Sequence, residues 1–128
     1  MTPVERLHQA LVDALIQGRP HALDQPVTVA EIYQDLVPYR NVRSDLGFAL
    51  NADYEHALMH LLAGEEGLAR IEPVEAREQL RLELESQNPD VGLFREFAAC
   101  DVFVTTVRNR YEHIARRKFA EEPDIRIL

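Results

Sequence analysis

Cysteine and lysine are nearly absent from this chain of 128 residues, and tryptophan is missing altogether. The single cysteine, Cys100, leaves no partner for an intramolecular disulfide and no second thiolate for a multi-cysteine metal site. Of the 14 basic residues, Lys118 alone is a lysine and the other 13 are arginines. The cysteine usage is typical of a reducing compartment, and we therefore expect a cytoplasmic protein.

Long hydrophobic runs are also lacking, since no apolar stretch approaches the roughly 18 residues that a membrane-spanning helix needs. The first 18 residues include acidic side chains and lack the apolar centre of a signal peptide, so we expect no secretory leader. A glycine-rich phosphate loop, a nucleophile elbow and a zincin motif are absent as well. We therefore expect no bound cofactor.

The bulk composition is that of a folded protein, with 46% hydrophobic and 28% charged residues. A chain of this length matches one domain of ordinary size, which we take to span residues 1–128. The net charge of −8 argues against a general nucleic-acid binder, because nonspecific affinity comes mainly from neutralised phosphates.

Start and stop signals predict several helices. Threonine and glutamate three residues apart form capping boxes at Thr2 and Thr28. Pro38 should break or kink the second helix and take Val37 out of the helical region, and it can equally open a new helix that runs to about Leu46. Pro73 opens a further helix, and Asn51 suits the cap of a helix between the two prolines. We expect the connector residues Phe48 and Leu50 to enter the core, and we place helices at about 3–18, 28–37, 38–46, 51–63, 74–86, 93–98 and 108–120.

Short β-branched or apolar segments predict a small sheet. The best strand candidate covers 102–107, and weaker candidates cover 68–71 and 125–128. The sequence thus predicts a mostly α domain of five to seven helices with at most a two- or three-stranded sheet.

Asp53, His56 and His60 share one face of the predicted helix at 51–63, at metal-ligand spacing. One hypothesis is a two-histidine, one-carboxylate metal site that serves a hydrolase-like enzyme. The alternative follows from the helical wheel, on which the apolar stripe centres near Leu58 and Leu61 and the three polar residues point away from it. We favour this alternative, in which the three side chains face solvent or a partner, because no supporting second layer of ligands is visible.

Tyr39, Arg40 and Arg43 precede that helix, and the two arginines lie three residues apart. They are suited to clamp an anion or carboxylate with two guanidinium groups. The alternative, which we favour, is an internal ion-pair network in which Asp53 or Glu55 receives Arg43.

The only basic patch covers residues 108–118, which hold five bases and one acid. One hypothesis assigns it to nucleic-acid contacts, with arginines on phosphates and Tyr111 and His113 available for stacking. The alternative is a C-terminal helix whose positive charges suit its own dipole and the acidic surface of the protein. We favour the alternative, since one short patch offers few phosphate contacts, and we note its arginines as interaction candidates: Arg108, Arg110, Arg116 and Arg117.

Three stretches together, YRNVRSDLGF, NADYEHALMHLLAGEEG and SQNPDVGLFREFAACDVFV, resemble a group of bacterial proteins to which no activity is assigned. The resemblance covers about 27–104 and carries no function over to this chain. Some members of the group continue into a cysteine-rich, zinc-ribbon-like tail, from which this chain departs because Cys100 stands alone. The resemblance implies that six residues form a unit: Tyr39, Arg40, Arg43, Asp53, Tyr54 and Glu55.

The function that these observations favour is a non-enzymatic interaction module, an accessory or adaptor subunit of a larger assembly. Arginine and tyrosine are enriched where protein interfaces carry binding energy. We therefore expect a protein partner rather than a nucleic acid, and the sequence leaves a homo-oligomer open. The metal-dependent enzyme and the nucleic-acid-binding regulator remain the alternatives.

Overall fold

The computed structural model describes residues 1–106 of the chain. Within them it contains five α-helices and one small antiparallel sheet, which confirms the prediction of a mostly α fold with a small β element. The predicted helix at 108–120, the predicted strand at 125–128 and the basic patch at 108–118 lie outside the described residues. In chain order the elements are α1 (Pro3–Gly18), β1 (Val27–Thr28), α2 (Val29–Glu31), α3 (Tyr39–Leu46), α4 (Asn51–Leu62), β2 (Ala69–Glu72), α5 (Val74–Glu85) and β3 (Asp101–Val104).

Both predicted capping boxes form. The Thr2 and Thr28 side chains accept hydrogen bonds from backbone N–H groups three residues later, and the glutamates at those positions bind back to the threonine N–H groups. Helix α2 continues as one π-helical turn, Ile32–Leu36, which the sequence did not indicate. Val37 then leaves the helical region before Pro38, as the proline predicts.

Helices α3 and α4 begin close to their predicted positions. Gly47 closes α3 with a φ of 75°, a conformation that glycine adopts without strain. The cap of α4 is Leu50 rather than Asn51, because the Asp53 carboxylate accepts the Leu50 N–H at 3.2 Å and the helix starts at Asn51 itself. Leu50 is consequently 63% exposed, so the prediction that it enters the core is wrong, whereas Phe48 is buried as expected.

The sheet has the strand order β1-β3-β2, with both pairings antiparallel. Strand β3 is therefore central, and Val102 faces Val27 on one side and Ile71 on the other. The remaining strand, β1, lies in a segment that the sequence predicts to be a loop followed by a helix cap. A two-residue strand shows no period-2 alternation, so it becomes a strand only because β3 lies beside it.

The core lies where α1 crosses α4 and where α4 and α5 pack against each other and β2. Helix α1 contributes five buried apolar side chains. Helix α4 contributes six, of which five form the predicted apolar stripe and the sixth, Met59, was not predicted. A second short helical segment, the 3₁₀ helix Leu93–Phe97, adds Phe94 to the core. The side chains with no exposed surface include Leu7, Leu11, Ile32, Leu58, Met59, Leu61, Leu62, Ile71 and Leu80.

Candidate functional site

A cluster of three aromatic rings joins α3 to α4. Tyr54 of α4 is 3% exposed, and its hydroxyl donates to the Val37 carbonyl at 2.7 Å. The Tyr39 ring lies 5.6 Å from the Tyr54 ring, centroid to centroid, and the Phe48 ring lies edge-on at 5.9 Å. These contacts fix the orientation of α3 on the body of the protein.

Burial raises the pKa of the Tyr54 hydroxyl well above its ordinary value, and the neighbouring Glu55 carboxylate raises it further, while Arg95 acts in the opposite direction. The hydroxyl is therefore held as a neutral hydrogen-bond donor. Tyr54 thus has a structural part in the unit of six residues that the sequence resemblance implies.

The outer face of α3 presents Arg40 and Arg43, which are both exposed. Among residues 1–106, neither arginine belongs to an ion pair. The favoured pairing of Arg43 with Asp53 or Glu55 is therefore wrong. Glu55 binds Arg95 at 2.5 Å instead, and Asp53 is used to cap α4.

Other arginines of the described region do have acidic partners. Arg19 pairs with Glu31, and Arg70 lies 3.3 Å from Glu72. Arg77 and Arg81 both lie 3.8 Å from the Glu78 carboxylate. With the Arg95–Glu55 pair, most arginines of residues 1–106 thus have an acidic partner, whereas the two arginines of α3 have none within that range.

A half-open cleft of about 460 Å³ lies between the first turns of α1 and one side of α4; we call it the α1–α4 cleft. Asp53, His56 and His60 all line this cleft, so the structure places the three predicted metal-ligand candidates on one side of α4. Asp53 and His56 are exposed, and His60 is half-buried. The opposite wall contains Arg6 of α1, which the sequence did not single out.

The side chains of the cleft are not arranged as a metal centre. The His56 and His60 rings lie 4.5 Å apart, centroid to centroid, at an interplanar angle of 67°. His60 Nδ1 is 3.6 Å from a carboxylate oxygen of Glu65. In the part of the chain that the structure describes, no three His, Cys, Asp or Glu side chains are grouped so that they would hold a metal ion.

A second cavity, of about 330 Å³, lies between the end of α4 and α5 and meets the first at His60 and Glu65. Each cavity contains an arginine whose buried Nε atom has no hydrogen-bond partner among the described residues, Arg6 in the first and Arg77 in the second. The sequence does not predict that either arginine is buried, because each one is a charged residue among other polar residues of its helix. Their burial arises only when distant helices pack together.

The remaining interaction candidates, Arg108, Arg110, Arg116 and Arg117, lie outside the described residues. Cys100 is a free, half-buried thiol. Over residues 1–106, none of the helices combines the length and the apolar character that crossing a membrane requires.

Comparison of the chain with protein-family models, with curated proteins and with solved structures finds no match.

Proposed function

We propose that this protein is a non-enzymatic interaction module, an accessory subunit of a larger assembly, and that α3 carries its docking surface. The observation that supports the proposal is the pair Arg40 and Arg43, exposed side by side without an ion-pair partner in residues 1–106. Arginine is among the residues most enriched at the energetic centres of protein interfaces.

Helix α3 is well suited to present side chains because it lies on the surface and is still held firmly. It contains no fully buried residue, and it rests on the core through the half-buried Tyr39, Val42 and Leu46. The contact between Tyr39 and Tyr54 fixes its first turn. A helix that is already ordered loses little conformational entropy when it binds, which favours affinity.

The charge of the site indicates the chemistry of the partner. The whole chain carries a net charge of −8, so two unpaired guanidinium groups on one helix form a local exception. Guanidinium groups bind carboxylates through two parallel hydrogen bonds, which gives both strength and orientation. We therefore propose an acidic protein surface as the partner of α3, in a cytoplasmic setting that the single cysteine supports.

The experiment places a photo-crosslinking amino acid at Asn41, an exposed position between the two arginines, and irradiates the full chain in its native lysate. The same label at Gln79, exposed on α5, serves as the control position. We expect one protein to be captured from Asn41 and not from Gln79. Elemental analysis of the same preparation identifies any bound metal.

The captured protein is then purified, and its affinity is measured by calorimetry for the native chain and for a variant that combines Arg40→Glu with Arg43→Glu. We expect a loss of at least about tenfold, with a steep salt dependence for the native chain. Arg70→Glu is the matched control, because Arg70 is exposed but lies on β2 and pairs with Glu72. Equal affinities of the double variant and the native chain, or a stoichiometric metal without any protein partner, would overturn the proposal.

A further inference from the structure

The α1–α4 cleft has the size and lining of a small-molecule site. Its volume of about 460 Å³ lies within the range of ligand pockets in proteins. Its walls come from α1, α4 and the connector before α4, and its apolar lining includes Val4, Phe48 and Ala57, which are themselves buried in the core.

Arg6 is the one arginine among the described residues that line the cleft, and none of these residues is a lysine. Its Nε atom is buried and has no hydrogen-bond partner among residues 1–106, although a buried donor without an acceptor destabilises the fold. No carboxylate in the described region forms an ion pair with Arg6. The guanidinium group therefore lines the cleft without an ion-pair partner among residues 1–106, although the Asp53 and Glu65 carboxylates line the same cleft.

Glu5, the neighbour of Arg6 in the sequence, and the two acidic residues of the cleft, Asp53 and Glu65, each contact another group. The Glu5 carboxylate accepts the Thr2 N–H at 2.8 Å as part of the α1 capping box. The Asp53 carboxylate accepts the Leu50 N–H, and Glu65 faces His60. None of the three carboxylates forms an ion pair with Arg6 among the described residues.

From this arrangement we infer that the α1–α4 cleft binds a small organic monocarboxylate, whose carboxylate lies on Arg6 and whose apolar body contacts Phe48 and Ala57. Asp53 and Glu65 border the same cleft, so they disfavour a doubly charged anion such as inorganic phosphate. His56 and His60 also line the cleft and can donate a further hydrogen bond to the ligand. This inference is independent of the docking surface on α3.

Benzoate is the probe, since it combines one carboxylate with a flat apolar body, and it is titrated into the ¹⁵N-labelled full chain. A fragment of this size binds in the millimolar range when its contacts are good. We expect saturable amide shifts at Val4, Arg6, Phe48 and Ala57. Benzamide, which has the same shape without the charge, and inorganic phosphate should each bind at least about tenfold more weakly.

Arg6→Met removes the charge and keeps most of the apolar stem, and it should weaken benzoate binding by at least about tenfold. Arg70→Met, at an exposed position of strand β2, is the matched control and should bind like the native chain. The comparison of benzoate with benzamide uses the native chain, so it remains decisive where a variant fails to fold. Absence of saturable shifts, equal binding of benzoate and benzamide, or tighter binding of phosphate would overturn the inference.

Discussion

Tyr54 has two structural roles: its ring packs between aromatic neighbours, and its hydroxyl binds a backbone carbonyl. Its ring lies among Tyr39 and Phe48, and its hydroxyl donates to the Val37 carbonyl in a place with almost no exposure to solvent. That carbonyl belongs to the residue where the helical path is interrupted before Pro38. One hydroxyl thus joins the end of the π-helical turn to α4 and satisfies a buried acceptor at the same time.

Tyr54→Phe keeps the ring and removes the hydroxyl, which leaves the buried Val37 carbonyl without its partner. We expect the free energy of unfolding to fall by about 1 to 2 kcal/mol, the usual cost of an unsatisfied buried group. The measurement is urea denaturation at neutral pH, followed by far-ultraviolet circular dichroism.

Tyr39→Phe is the control for this prediction. The Tyr39 hydroxyl makes no hydrogen bond within residues 1–106, and its ring contact with Tyr54 survives the change. The control should therefore unfold close to the native midpoint. Equal stabilities of Tyr54→Phe and Tyr39→Phe would show that the bond to Val37 contributes nothing.

Among the secondary-structure elements, the start of α2 carries the clearest electrostatic signature. The Glu31 carboxylate accepts the Thr28 N–H at 3.1 Å and pairs with Arg19 from the end of α1. The Thr28 N–H is the main cause that lowers the pKa of Glu31; partial burial opposes it, and Arg19 lowers the pKa further. This element therefore depends on a charged glutamate.

A folded-state pKa below the unfolded value means that ionised Glu31 stabilises the fold above about pH 4.3, the unfolded value for glutamate. This stabilisation is lost as the pH falls through the folded pKa. Glu31→Gln retains an acceptor for the Thr28 N–H but no longer titrates. We expect the variant to be less stable than the native chain at pH 7 and the difference to shrink at about pH 3.

The check is urea denaturation of both proteins across that pH range. Gln25→Glu adds a carboxylate on an exposed loop position and tests whether any charge change near this end of the molecule gives the same effect. A stability difference between native chain and Glu31→Gln that is constant with pH would contradict the prediction.

The helices were largely predictable because their signals are local. The capping boxes at Thr2 and Thr28 and the proline starts at Pro38 and Pro73 each involve residues within one turn, and all four mark helix starts in the structure. The π-helical turn and the two-residue strand β1 were not predictable. Both depend on neighbours far along the chain, such as the backbone of Cys100, whose carbonyl accepts the Val29 N–H at 3.1 Å.

The same distinction holds for the candidate sites at the scale of the whole molecule. Asp53, His56 and His60 were expected on one side of a helix because their spacing alone decides it, and they do line one cleft. Arg6 was missed because its surroundings form only when α1 packs against α4, about fifty residues later. Ion-pair partners were mistaken for the same reason, since Glu55 binds Arg95 across the fold rather than the nearby Arg43.

Strand β3 joins distant parts of the described chain, because it pairs with β1 from the first third of the chain and with β2 from the middle. Val102 is fully buried at its centre and faces both neighbours. Val102→Ala removes two buried methyl groups, and we expect it to lower the free energy of unfolding by about 2 kcal/mol. Both the helical signal in far-ultraviolet circular dichroism and the tyrosine signal in the near-ultraviolet should shift to the same new midpoint.

Val74→Ala makes the same chemical change at a position of α5 that is 55% exposed, and it should leave the midpoint nearly unchanged. A shift of one signal without the other in Val102→Ala would mean that the sheet unfolds separately from the helices. Coincident transitions follow if β3 holds both ends of the described chain in one core. In that case a substitution that destabilises β3 also destabilises α1 and α4, because all three elements belong to the same core. Helices α1 and α4 supply most of the lining of the α1–α4 cleft.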